Sequence, residues 1–147
     1  MEKIKICIQK LPGNEDISLP SYMTEQAAGM DICAAVTKNE VIMPGKRMKI
    51  PTGISVALPE GYEAQIRPRS GLAVNFGVTL LNAPGTIDAD YRGEIALIVV
   101  NHGEEPFTVY RGLRLAQMVI QKTCRVDWIL CDELSATKRG TGGFGHS

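Results

Sequence analysis

The stretch NAPGTIDADYRGE, residues 82 to 94, gathers Asn82, Asp88, Asp90 and Tyr91 around a Pro84-Gly85 pair. Its position between two apolar runs, VTLLN and EIALIVVN, predicts an irregular hairpin whose backbone donors and acceptors near the tip are free to face a ligand. A carboxylate there has the chemistry of a general base. Asp88 and Asp90 lie two apart, so in an extended chain both project to one face with Tyr91 on the other. Taken alone, the stretch reads first as a set of ordinary turn formers, and spacing does not say which aspartate would act.

Four other stretches carry similar potential. RPRSGLA, residues 67 to 73, places two arginines, Arg67 and Arg69, with Ser70 and Gly71 at a strand end; Ser70 either caps a short helix beside solvated arginines or helps turn backbone N–H groups toward an anion. AAGMDICAA, 27 to 35, sets Asp31 among small residues, where an acid near Gly29 is usually a turn or a hydrogen-bonded strand end. GLRLAQMVIQK holds Gln117, an amide in an apolar strand, and most such glutamines point outward. The closing RGTGGFGHS, 139 to 147, hangs Arg139 and Phe144 on a tether loosened by Gly140, Gly142, Gly143 and Gly145. A cation and a ring on such a tether read as groups that stay loose until something arrives to be gripped.

Short strands must hold these groups in place. Ile4, Ile6 and Ile8 alternate with polar neighbours or Cys7, and DICAAV, RMKIPTGISVAL, YEAQIRP, VTLLN, EIALIVVN, FTVY, RLAQMVIQK and CRVDWIL follow. Breaks at MPGK, LPEG and APGT place Pro at the second turn position and Gly at the third or fourth, as turns prefer. The pattern predicts an all-β sandwich or barrel with one short helix over SGLAVNFG, residues 70 to 77. From about Asp132 the chain loses its apolar periodicity and reads as an arm leaving one compact domain that takes in all of 1–147.

The 147 residues suffice to enclose a single core. Sixteen basic and sixteen acidic residues cancel, which argues against long nucleic acids or anionic membranes as partners and for a small polyanion met by local charge. MEKIKICIQK has the pattern of neither a secretory signal nor an anchor, so a soluble, cytoplasmic protein is expected. Cys7, Cys33, Cys124 and Cys131 show no CxxC spacing and, with only His102 and His146, make no zinc set; buried reduced thiols are expected.

Together, AAGMDICAA, RPRSGLA, NAPGTIDADYRGE, GLRLAQM and RGTGGFGHS resemble, in order and approximate spacing, the five motifs of the homotrimeric dUTP diphosphatases. The resemblance implies a β-sheet jelly-roll, or distorted barrel, that trimerises, with sites where subunits meet and a flexible C-terminal arm closing over each. It implies hydrolysis of the α–β phosphoanhydride of dUTP to dUMP and diphosphate. Asp88 matches the family's water-activating carboxylate, and Asn82, with backbone groups, the reader of uracil. Tyr91 matches the residue that lies against the sugar and denies room for a 2′-hydroxyl. Asp31 matches an acid that holds Mg²⁺ through water, and Arg69, Ser70, Gly71 and Gln117 match phosphate contacts. In the arm, Phe144 would stack on uracil, Arg139 would meet the γ-phosphate, and the backbone at Gly142 and Gly143 would approach the phosphate chain. A dCTP deaminase of the same fold, including the bifunctional kind, and a non-catalytic nucleotide-binding regulator are the alternatives; the first would need groups for attack on a cytosine ring, the second is expected to have lost Asp88 or the arm.

Overall fold

The computed structural model describes residues 3 to 145, so Met1 and Glu2 of the first strand pattern and His146 and Ser147 of the closing stretch lie outside it. Twelve strands and one helix follow in chain order: β1 (Cys7–Lys10), β2 (Ser21–Tyr22), β3 (Met30–Cys33), β4 (Glu40–Ile42), β5 (Arg47–Pro51), β6 (Ile54–Ala57), β7 (Tyr62–Arg67), α1 (Ser70–Phe76), β8 (Val78–Leu80), β9 (Gly85–Ile87), β10 (Ala96–Asn101), β11 (Phe107–Val109) and β12 (Arg114–Lys122). A five-stranded sheet runs β2-β3-β12-β7-β9, a three-stranded sheet β5-β10-β8, and two ribbons pair β1 with β6 and β11 with β4. All pairings are antiparallel, and the whole is a jelly-roll-like all-β fold.

Alternation decides which face of each strand turns inward. Ala64 and Ile66 of β7 are buried while Glu63, Gln65 and Arg67 are not; Leu97 and Val99 of β10 are buried while Ala96 and Ile98 are half-buried. The inward set, Ile32, Ile50, Ile54, Leu97, Val99, Val109 and Ala116 among it, forms one continuous core. Each large aliphatic side chain fully withdrawn from water contributes about 1.5–3 kcal/mol. MPGK turns as its residues predict, with Gly45 at φ 75° and Lys46 N–H donating to the Met43 carbonyl at 3.0 Å. The expected helix forms as α1, closed by Gly77 in the left-handed region. His102 N–H then donates to the Gly77 carbonyl at 2.8 Å, which ties the helix end to the loop after β10.

Four expectations need correction. CRVDWIL forms no strand: both edges of β12 are occupied by β3 and β7, and from residue 123 the backbone leaves the body without reaching another edge. The arm therefore starts well before Asp132. APGT is not a Pro-Gly turn: Pro84 follows a cis peptide bond and Gly85 already sits in β9, opposite Ile66. The four thiols are free but not buried, since Cys7, Cys124 and Cys131 are exposed and Cys33 is half-buried; Cys7 lies on an outward strand position and the other two exposed thiols lie on the arm. Finally, residues 88 to 91 are not extended. They form a turn in which Tyr91 N–H donates to the Asp88 carbonyl at 3.2 Å, so Asp88 and Tyr91 do not face opposite ways.

Candidate active site

Strand register brings three polar side chains into one row at the centre of the five-stranded sheet. Asp31 of β3 lies opposite Gln117 of β12, and Gln117 lies opposite Arg67 of β7, so all three project from the same face. Gln117 does not point idly outward: its Nε2 donates to the Pro68 carbonyl at 3.0 Å. Gly29 makes room for it, because a methyl group there would collide with Gln117 Oε1. Arg67 is aimed by its own strand, donating from Nε and Nη2 to Gln65 Oε1 at 3.2 and 2.7 Å.

Two arginines flank Asp31. Arg69 Nε is 3.3 Å from Oδ1 and Arg114 Nη1 is 3.8 Å from Oδ2, while Arg69 Nη1 also donates to the Arg114 carbonyl at 2.9 Å. The Asp31 side chain is only 14% exposed, and its Oδ2 is buried without a hydrogen-bond partner among the described residues. A buried carboxylate oxygen with an unused lone pair is costly unless something donates to it. Beside it on β3, burial pushes the Cys33 thiol up, so this sulfur stays protonated.

Sequence reasoning singled out Asp31, Arg69 and Gln117, took in Arg67 as the other arginine of RPRSGLA without giving it a role, and missed Arg114 and the part played by Gly29. In a regular strand Arg114 and Gln117, three apart, face opposite sides. A register shift between Arg114 and Ala116 inserts one residue and turns both toward Asp31. Ser70 opens α1 and is exposed, the cap position being Arg69 with no side-chain cap bond; a Cβ at Gly71 would meet only open space.

A second site lies on the outer face of the three-stranded sheet. Asp88, Tyr91, Thr86 and Glu94 line a cavity of about 360 Å³ with Ile98 and Lys49. Ile98 and Lys49 are register partners on β10 and β5, which explains why both face it. The turn at 88 to 91 is held by Arg92, whose Nη1 donates to the carbonyls of Ala89 at 2.6 Å and Tyr91 at 3.0 Å. Asp88 is exposed, and its carboxylate is engaged by no ion pair or side-chain hydrogen bond among the described residues. Asp90 does not line the cavity, which separates the two aspartates that spacing left equivalent. Lys49, a cation in a strand remote from every motif, carried no signal in the sequence.

A further cavity, about 460 Å³, is lined by Gln65, Arg67, Pro68 and Gln117 from the sheet centre and by Ala83 and Pro84 from the hairpin. It shares no lining residue with the Asp88 cavity. Asn82 is exposed just before it, with its amide over Gly85. Arg139, Gly142, Gly143 and Phe144 join neither cavity. Arg139 Nε donates to the Gly142 carbonyl at 2.6 Å, Gly140 N–H donates to Thr137 Oγ1 at 3.0 Å, and Phe144 is fully exposed at φ 51°. A Cβ at Gly143 would touch nothing, so no contact within the chain requires glycine there.

A jelly-roll body, a row of arginines and a glutamine around Asp31, and an unengaged carboxylate beside a tyrosine together give groups with the chemistry to hold a phosphorylated small molecule and to activate water. The family model for dUTPase matches residues 15–147, and the chain belongs to that family. It is a dUTP diphosphatase, converting dUTP to dUMP and diphosphate. Solved structures agree in fold. The dUTPase of Staphylococcus bacteriophage 80alpha, bound to the dUTP analogue dUpNHpp, superposes with a TM-score of 0.88 at 24% identity, covering 99% of both chains. A dUTPase of phage phi11 of S. aureus gives 0.79 at 21% identity, covering 91% of this chain and 100% of that one. A variant of the phi11 enzyme, with a TM-score of 0.78 at 21% identity over 88% of this chain and 98% of that one, coordinates a structural Mg(II) ion.

Proposed function

We propose that the reaction takes place in a site shared between copies of the chain, in which the Asp88 cavity of one copy faces the sheet-centre cluster of another within a homotrimer. The observation that carries this is the separation of two sets of groups within one chain: Asp88 and Tyr91, matched to water activation and the sugar, line one cavity, and Gln117, matched to a phosphate contact, lines another with Arg67. Within the assembly, Asn82 and neighbouring backbone groups read uracil and Tyr91 lies against the deoxyribose. Asp88 accepts a proton from the water that attacks the α-phosphorus; the bond to the bridging oxygen breaks and diphosphate leaves. A carboxylate with no competing partner among the described residues is suited to that step, and such assistance is worth about 10²–10⁴-fold.

Arg69, Ser70, Gly71 and Gln117 hold the phosphate chain, and Arg67 and Arg114 join them because they project into the same row. Mg²⁺ is the proposed metal. Asp31 suits an outer role toward it: one buried oxygen lacks a donor, and a hydrated Mg²⁺ keeps waters that donate. When bound, the ion would neutralise charge on the triphosphate oxygens. Arg139, Gly142, Gly143 and Phe144 form the closing arm, with Arg139 at the γ-phosphate and Phe144 on uracil.

The root of the arm supports assembly. Trp128 and Ile129 are each 88% exposed, Leu130 100% and Leu134 88%, an apolar series that a second copy would cover. No helix among the described residues is long and apolar enough to cross a membrane, and the cytoplasm is the proposed location. Incubation of the protein and of Asp88→Asn with dUTP, dTTP, dCTP and UTP in Mg²⁺ tests the reading. Selective dUMP formation by the native chain, collapsing in the variant while dUTP still binds, is expected. Undiminished turnover by the variant would remove Asp88 as the base, and ammonia released from dCTP would favour a deaminase.

A further inference from the structure

Tyr91 stands on an exposed turn, yet its ring is fixed at both ends. The hydroxyl donates to the Glu94 carbonyl at 2.9 Å, and the ring folds back so closely over Gly93 that a methyl group there would collide with the Tyr91 hydroxyl. Glu94 is itself held from below. Its carboxylate Oε1 accepts the Gly53 N–H at 2.9 Å, next to the Thr52 hydroxyl, which donates to the Ile95 carbonyl at 2.5 Å, and the Ile54 carbonyl, which accepts the Ile95 N–H at 2.9 Å. Thr52 and Ile95 are buried, so this clamp between the β5–β6 turn and the end of the hairpin belongs to the rigid body. The turn is anchored in its turn by Leu11 N–H, which donates to the Gly53 carbonyl at 2.8 Å.

We infer that Gly93 and Glu94 are positioning residues for sugar selection: Glu94 ties the turn to the Tyr91 hydroxyl, Gly93 leaves the space that the ring needs, and together they set how much room the cavity leaves at the 2′ carbon. This rests on the reading of Tyr91 as the residue against the sugar. A wall excludes one extra oxygen only if it cannot swing away, and an aromatic side chain held at its backbone alone retains freedom about two torsions. The Glu94 carboxylate acts here as a hydrogen-bond acceptor, its partner being a backbone N–H. An amide oxygen would serve the same purpose.

The test compares kcat/KM for dUTP and for UTP in the full-length native chain and in Glu94→Ala, Glu94→Gln, Gly93→Ala and Tyr91→Ala, with thermal melting recorded for each. Glu94→Ala and Gly93→Ala reach the ring from opposite sides, so loss of folding in one leaves the other to decide. Each is expected to lower the dUTP preference over UTP by roughly tenfold, as loss of one ordering hydrogen bond predicts. Glu94→Gln is expected to retain most of the preference. Folded Glu94→Ala and Gly93→Ala proteins with unaltered preference, alongside a Tyr91→Ala protein that has lost it, would overturn the positioning role alone. Unaltered preference in Tyr91→Ala would overturn the reading of Tyr91 and this inference with it.

Discussion

The sheet-centre row and the C-terminal arm carry groups of the same chemistry, arginines and neighbours suited to a triphosphate, but they are organised in opposite ways. Asp31, Gln117 and Arg67 occupy fixed register positions on three adjacent strands, and their side chains are aimed by partners such as the Pro68 carbonyl and Gln65. Arg139 and Phe144 sit on residues without strand or helix, and beyond Thr123 the hydrogen bonds of the described arm run only to other arm residues. The row is held in place by the sheet, whereas the described part of the arm is held by no bond to the sheet. Binding energy spent on ordering such a segment is available once the correct ligand is present, which on the proposed reading makes the arm a closing element and the sheet a platform.

The most severe way to break this contrast is to remove the arm's end. A chain stopping after Lys138 should lose about 10²-fold or more in kcat/KM for dUTP, because the substrate is no longer enclosed and oriented, while light scattering still reports the native assembly mass. Altering the arm's root should do the reverse: Trp128→Ala with Leu130→Ala should weaken assembly, seen as a concentration-dependent fall in mass. In the platform, Gln117→Ala should raise KM for dUTP by about tenfold with a smaller effect on kcat, the mark of a group that binds ground and transition states alike. Gly29→Ala should imitate it by displacing the Gln117 amide, and the double variant should fall short of additive, since both act on one group.

A far smaller effect is expected at the loop that supports the β5–β6 turn. Arg111 donates from Nη2 and Nε to the two Asp16 oxygens at 2.7 and 2.8 Å, and this hydrogen bonding holds the Asp16 carboxyl below its ordinary value. A depressed folded-state pKa stabilises the fold at pH values above the unfolded value, about 3.9, and that stabilisation is lost as pH falls through the folded value. Asp16→Asn should therefore melt slightly below the native protein at neutral pH, and the gap should close in acid. A gap that persists or widens in acid would contradict this pairing.

How much of this was legible beforehand follows from how each group is held. Strands with one buried face announced themselves by alternation, as β7 and β10 do, and the helix at 70 to 76 by its Ser-Gly start and its closing Gly77. The row was half legible. Asp31 and Gln117 stand in motifs, but which strands are neighbours is a matter of topology, and the bulge that turns Arg114 toward Asp31 leaves no mark in the spacing. Alternation failed at Asp88, Asp90 and Tyr91 because a turn replaces the extended chain it assumes. It failed again at CRVDWIL, whose strand-like pattern has no partner edge within one chain. Lys49 and Glu94 owe their places to long-range contacts, with Ile98 and Gly53, which no local pattern encodes, whereas Gly93 is set by the Tyr91 ring two residues before it.

The shared site is tested most directly by mixing defects. Chains carrying Asp88→Asn and chains carrying Arg69→Ala with Gln117→Ala are refolded together at equal amounts, and hybrid assemblies are isolated by two different tags. If the cavity of one copy works with the row of another, some sites in the hybrids combine an intact Asp88 with an intact Arg69 and Gln117, and dUTP turnover should rise well above either parent. Hybrids no more active than the average of the two parents would contradict the account.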